Sequence, residues 1–156
     1  DPDVRVVVAP DAAAVRRAAA GAHALVSCLP LTPETRGIVD GPLLDGLAEP
    51  AIVVNVGRGP VIDEAALHAR LADGRIFGAG IDTWWRYPED EAARACTPPS
   101  DLGYGELDSV VLSPHRGGSE RLEDERARRM AALAELLAAL ARGETGRGRL
   151  DPERGY

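Results

Sequence analysis

Lysine is absent: all 18 basic residues of this 156-residue chain are arginine, set against 25 acids for a formal charge of −7. Without lysine, no Schiff-base chemistry can be built from these side chains. An acidic chain with no basic stripe cannot track a phosphate backbone, so no nucleic-acid partner is expected. Cysteine is scarce. Cys28 and Cys96 lie far apart and in no metal-ligand spacing, and free thiols in a reducing, cytoplasmic setting are expected rather than a disulfide. No cluster of His, Cys and acids has metal spacing, so no metal is expected. Apolar runs fall well short of the about 20 residues that span a bilayer, which leaves no membrane role. The chain opens on Asp1-Pro2 instead of Met, so its start is expected not to be the natural one, and a targeting signal upstream stays open.

A further absence concerns glycine. The dinucleotide fingerprint G-x-G-x-x-G occurs nowhere, although Gly57-Arg58-Gly59 and Gly78-Ala79-Gly80 each supply its first pair. That turn is what brings backbone N–H groups at a helix N-terminus to a pyrophosphate. Either the domain binds no dinucleotide or the loop was encoded before Asp1.

What is present is an alternation of short β-rich runs with Ala- and Leu-rich helical stretches, which predicts an α/β fold with a mostly parallel, doubly wound sheet. Strands are expected at Val4 to Ala9, Ala24 to Leu29, Ala51 to Asn55, Phe77 to Ile81 and Val110 to Leu112. Their near-continuous apolar character predicts cover by helices on both faces. Helices are expected from Asp11 to about Gly21, around Pro42 to Leu47, and from the N-cap Asp63 to near Gly74. A long helix should follow Ser119 and reach about Ala141. Its Leu122, Met130, Leu133, Leu137 and Leu140 recur at helical spacing and predict a core-packing face. Residues 86 to 108 form a polar connection longer than the about 12–15 residues usual in compact domains, the length of a functional or mobile loop.

Four polar clusters fall at or just after strand ends, where ligands bind in open α/β sheets. They are Leu29 to Thr35, Asn55 to Gly59, Asp82 with Thr83 and Trp84, and Ser113 to Gly118. Arg58, between two glycines, can project a planar fork of donors suited to a carboxylate. His115, before a Gly-Gly step, can give and take a proton. Taken singly, each is explained as well by an ordinary surface turn or a structural loop histidine. Trp84 and Trp85 are expected as pocket wall or packing, with core packing for at least one. Tyr104, in a Gly-flanked turn, is a weaker candidate for a lid, and His23 and His68 are expected on helix surfaces.

The segments LPLTPETRGIVD, NVGRGPVIDEAAL, GAGIDTW and SPHRGG, in this order and at this spacing, resemble the NAD-binding domain of the D-isomer-specific 2-hydroxyacid dehydrogenase family. The resemblance implies a Rossmann-like sheet, here partial and lacking the first strands and the glycine-rich loop. It implies a partial dinucleotide-binding domain over 1–118, a long helix over 119–142, and a tail over 143–156 returning toward an absent substrate domain. It further implies hydride transfer between NAD or NADP and a small 2-hydroxy or 2-oxo acid, with a homodimer as the full-length form and the piece alone inactive. Arg58 would bind the substrate carboxylate, and His115 would exchange the proton on the substrate oxygen. Asp82 would hold the nicotinamide carboxamide. Leu29, Pro30 and Thr35 would line the adenosine and ribose side, with Val56 and Gly57 beside the ring and Gly117 and Gly118 close to the nicotinamide.

One position departs from the family. Where a Glu usually pairs with the catalytic His, five residues after the Asp of the GAGID segment, this chain has Tyr87. A phenol can accept a hydrogen bond from imidazole but adds no charge stabilisation. His115 then either keeps its place without an acid, or Glu89 or another loop acid swings in as its partner. The departure also leaves open a non-catalytic dinucleotide-binding regulator of the same fold, or a truncated reading frame without function.

Overall fold

The computed structural model describes residues 6–9, 11–117 and 123–144. They belong to two compact units, one ending at His115 and the other beginning at Arg116. The first unit is built on four parallel strands, β1 (Ala24–Ser27), β2 (Ile52–Asn55), β3 (Gly78–Ile81) and β4 (Val110–Leu112), lying side by side in chain order. Parallel neighbours need a crossover. α2 (Gly41–Asp45) supplies it between β1 and β2 and α3 (Glu64–Ala72) between β2 and β3, residues 82–109 join β3 to β4, and α1 (Ala12–Ala19) precedes β1.

Each of these helices starts on an aspartate that the sequence places just ahead of the first turn. Asp11 accepts from the Ala14 N–H at 2.8 Å, Asp40 from Leu43 at 3.0 Å and Asp63 from Ala66 at 2.9 Å. Each bond satisfies one of the N–H groups that a helix start leaves without a partner.

Register aligns Ser27, Asn55, Ile81 and Leu112 in one row across the sheet. The loops that follow all four strands therefore leave the sheet at the same level. On the face that carries Val53, Ala79 and Ile81, apolar side chains pack with Leu43, Leu44, Leu67, Leu71 and Ile76 into one core. Residues 86 to 108 are fastened to it by Tyr104, which is buried, donates to the Glu64 carbonyl at 2.6 Å and stacks on Trp85. Burial pushes the Tyr104 phenol well above its ordinary range, and Glu64 adds to the effect. Tyr104 is thus a core residue and not part of a lid. Both tryptophans pack against the core as well. His68 is half-buried with its ring edge-on to Tyr104, while His23 is exposed.

Three expectations need correction. Residues 6–9 form no strand, and Val6 and Val8 are 86% and 87% exposed. A β-branched run becomes a strand only through a ladder partner, and none of the described strands offers one; Val4 lies outside the described residues. Within the first unit's described residues, one face of the sheet is left largely uncovered. Val26 and Ile52 are exposed, Val111 is 71% exposed, and Phe77 stands clear beside them. Ile52, Phe77 and Val111 border an open trough floored by Gly78 and Gly80. Apolar runs mark strands that can be buried twice, but do not supply the second cover.

The third correction lies in the second unit, whose described residues include the helix α4 (Glu123–Ala141). Its Met130, Leu133, Leu137 and Leu140 are exposed and not core-packed. Helical spacing shows which side chains share a stripe, not what meets it. Leu122, Gly118 and the tail from residue 145 lie outside the described residues.

Candidate active site

The loop after β1 is braced internally. The Thr32 N–H donates to the Thr35 hydroxyl oxygen at 2.8 Å, and that hydroxyl donates to the Pro30 carbonyl at 2.7 Å. The Thr35 side chain thus shapes the loop, and Leu29 and Pro30 are left exposed on its outer side.

Asn55 closes β2 and organises the turn beyond it. Its fully buried amide accepts from the Gly57 N–H at 3.1 Å and donates to the Arg58 carbonyl at 3.1 Å. Its own carbonyl accepts from the Asp82 N–H at 3.0 Å. Glycine at 57 and 59 is then a matter of space. A Cβ on Gly57 would lie 2.5 Å from the Leu29 carbonyl oxygen, and one on Gly59 would lie 2.2 Å from that of Trp84. The turn that carries Arg58 is thereby wedged between the loops that follow β1 and β3.

Arg58 is exposed, in extended backbone, and one guanidinium nitrogen donates to the Gly57 carbonyl at 2.8 Å. Among the described residues no carboxylate pairs with it, so the rest of its five-donor fork can meet an anion. Val56 beside it is exposed too.

Asp82, at the end of β3, is only 8% exposed, and its carbonyl accepts the His115 N–H at 2.9 Å. His115 adopts the left-handed region, with φ of 53°. For a residue with a Cβ that is uncommon, and such conformations gather at functional sites. Its ring reaches Tyr87, with the phenol oxygen 3.3 Å from Nδ1. Tyr87 in turn stacks on Trp84 and accepts the Trp84 backbone N–H at 2.9 Å, while the Trp84 indole donates to the Ser113 carbonyl at 2.9 Å.

The partner of the His115 ring is therefore Tyr87 itself. Glu89 is exposed and makes no bond to the ring. A continuous run of contacts leads from Leu29 through Gly57, Arg58, Gly59, Trp84 and Tyr87 to His115. Gly117 belongs to the second unit.

Asn55 and Trp84 hold this arrangement together; both lay in strand-end clusters of the sequence, Trp84 also as expected pocket wall or packing, but neither was given a role in positioning Arg58 or His115. Asn55 carried a usable signal: an amide ending an apolar strand must find partners once buried. Two buried hydroxyls, Ser27 and Thr83, have no partner among the described residues.

An open parallel α/β sheet with an arginine and a histidine raised over the carboxyl ends of its strands defines a ligand-binding domain of the doubly wound class. The sequence model for "D-isomer specific 2-hydroxyacid dehydrogenase, NAD binding domain" matches residues 5–117, and the chain belongs to that family. Hydroxyphenylpyruvate reductase of Plectranthus scutellarioides is 39% identical over 99 residues, 64% of this chain and 28% of the relative. Glyoxylate reductase of Korarchaeum cryptofilum is 36% identical over 116 residues, 74% of this chain and 32% of the relative. The crystal structure of a D-isomer specific 2-hydroxyacid dehydrogenase from Xanthobacter autotrophicus Py2, in complex with NADPH and MES, superposes with a TM-score of 0.72 at 32% identity. It covers 92% of this chain and 54% of that one. The chain thus spans about a third or less of these two curated relatives' length and about half of the solved one.

Proposed function

We propose that the protein carrying this chain is an oxidoreductase that moves a hydride between NAD or NADP and a small 2-hydroxy or 2-oxo acid. The observation that carries this reading is the run of contacts joining the Arg58 turn to His115 through Trp84 and Tyr87. It offers an anion-binding fork and a proton-exchanging ring at the same end of one sheet. The relatives' names, two of them reductases, and the NADPH in the Xanthobacter structure support it.

The exposed residues suit such a cofactor. Val56 presents apolar surface beside its ring, next to Gly57, and Leu29, Pro30 and Thr35 would line its adenosine and ribose side. The nearly buried Asp82 is an acceptor for a carboxamide, and Gly117 and Gly118 follow His115. No glycine-rich phosphate loop occurs in the sequence. When bound, the cofactor supplies the hydride. The chain's own residues do the rest: Arg58 binds and orients the substrate carboxylate, and His115 delivers a proton to, or takes one from, the substrate oxygen.

Homodimerisation and residence in the cytoplasm belong to the same proposal. The free state of Cys28 and Cys96 fits a reducing compartment, and among the described residues no helix is long and apolar enough to cross a membrane.

The test is turnover of 2-oxo acids by the protein that carries this chain, followed through NAD(P)H consumption. Two charge-assisted bonds of about 1.5–3 kcal/mol each are at stake at Arg58. Arg58→Ala should lower kcat/KM at least about 100-fold, and Arg58→Lys should recover only part because it keeps the charge without the fork. An unchanged kcat/KM in Arg58→Ala removes the arginine from the mechanism.

A further inference from the structure

We propose that Tyr87 is a positioning residue that holds the neutral His115 ring in a single tautomer, with its hydrogen on Nε2. The inference deepens the functional reading above and rests on His115 being the group that faces the substrate oxygen.

The argument begins with the phenol's own partners. Its oxygen accepts the Trp84 backbone N–H at 2.9 Å. Its ring lies nearly parallel to the Trp84 indole, 6.0 Å between centroids and 24° between planes. That indole is pinned by its bond to the Ser113 carbonyl. Trp84 thus fixes the phenol from two sides. A phenol has one hydrogen to give, and with its oxygen turned to an N–H donor, that hydrogen is free for the Nδ1 of His115, 3.3 Å away. A ring nitrogen that accepts a hydrogen bond carries no hydrogen, so in the neutral ring it resides on Nε2.

The main chain leaves little other freedom. The His115 N–H is bound to the Asp82 and Ser113 carbonyls, both at 2.9 Å, and its φ is 53°. Ring orientation is decided by its side-chain torsions and Tyr87. A carboxylate at position 87, where the resemblance puts a Glu, would impose the opposite arrangement. It can only accept, so it selects hydrogen on Nδ1 and leaves Nε2 bare.

With Tyr87, a 2-oxo oxygen meets Nε2 with the hydrogen already in place. As that oxygen gains charge, it takes the Nε2 hydrogen and the ring takes the phenol hydrogen at Nδ1. The phenolate left on Tyr87 still holds the Trp84 N–H. It is 44% exposed and regains its proton from water. One proton has then passed from water to the product oxygen, and the ring carries its hydrogen on Nδ1 until it resets.

The tautomer is directly observable, because the chain has only three histidines. The 15N-labelled chain is studied by two-bond proton–nitrogen correlation at about pH 8–9, where a histidine of ordinary titration is neutral. His23→Gln and His68→Gln variants assign the signals. The expected pattern for His115 is a protonated Nε2 and a bare Nδ1. In Tyr87→Phe this preference should collapse to the tautomer mixture of exposed His23, and in Tyr87→Glu it should invert. Hydrogen on Nδ1 in the parent, or identical patterns in the parent and Tyr87→Phe, overturns the proposal. The readout needs no turnover, so it separates from the functional reading. The stated tautomer with unimpaired turnover in Arg58→Ala supports the positioning role and sinks the enzymology. An indifferent ring with turnover lost in Arg58→Ala does the reverse.

Discussion

Asn55 is the residue on which the candidate site turns, although it touches no substrate in the proposed scheme. Replacing it with leucine keeps the bulk but leaves the Gly57 N–H without an acceptor inside the protein, at a cost of about 1–3 kcal/mol. The expected outcome for Asn55→Leu is a lower urea midpoint, together with a loss of kcat/KM close to that of Arg58→Ala, since Arg58 loses its carbonyl anchor. A variant as active as the parent would mean that the turn holds its shape without the amide. Arg58 and His115 stood out in the sequence because each follows a strand end, Arg58 between two glycines and His115 two residues before a Gly-Gly step. What their side chains touch did not. Tyr87 read as a hydrogen-bond acceptor for the imidazole; the Trp84 N–H on its oxygen, from which the donor role proposed above is argued, was not legible.

Elements were legible where local chemistry fixes them. Asp11 and Asp63 each announced a helix start and each caps one, while Asp40, not expected as a cap, caps α2. The strands of Ala24, Ile52, Gly78 and Val110 formed where β-branched or small apolar runs stood between turn residues. Residues 6–9 had the same composition and form no strand, since none of the described strands pairs with them, and the leucines of α4 had the right spacing but are exposed. Pairing and cover depend on residues distant in the chain, which periodicity does not encode. The turn between β2 and α3 shows the opposite case, where one glycine is dictated by a distant loop. Gly59→Ala forces the Trp84 backbone away from the Arg58 turn. It should cost about 1–3 kcal/mol or more in stability and reduce turnover further than the stability loss alone accounts for. Denaturation midpoint and kcat measured on the same sample check both; a variant stable and active like the parent would contradict the wedge.

For the whole molecule, acid tolerance depends on carboxylates that hold helices together. Hydrogen bonding from Arg16 keeps the Asp40 carboxyl below its ordinary range, and Arg70 does the same for Asp45. A carboxyl lowered in the folded state contributes stability that is present above the ordinary Asp value of about 3.9 and lost as pH falls through the folded value. Both pairs are partly open to water, so each contribution is small. Asp40→Asn keeps a capping side chain and removes the charge. Its urea midpoint should therefore fall less steeply than the parent's between about pH 5 and pH 2, and parallel curves would exclude the Arg16 pair as a source of acid sensitivity. The side-by-side order of the strands carries a kinetic corollary. Among the described strands none has to be inserted between two others, so this sheet can be laid down in order of synthesis. β4 is the last of them in the chain, and the histidine that follows it is made after the phenol it meets.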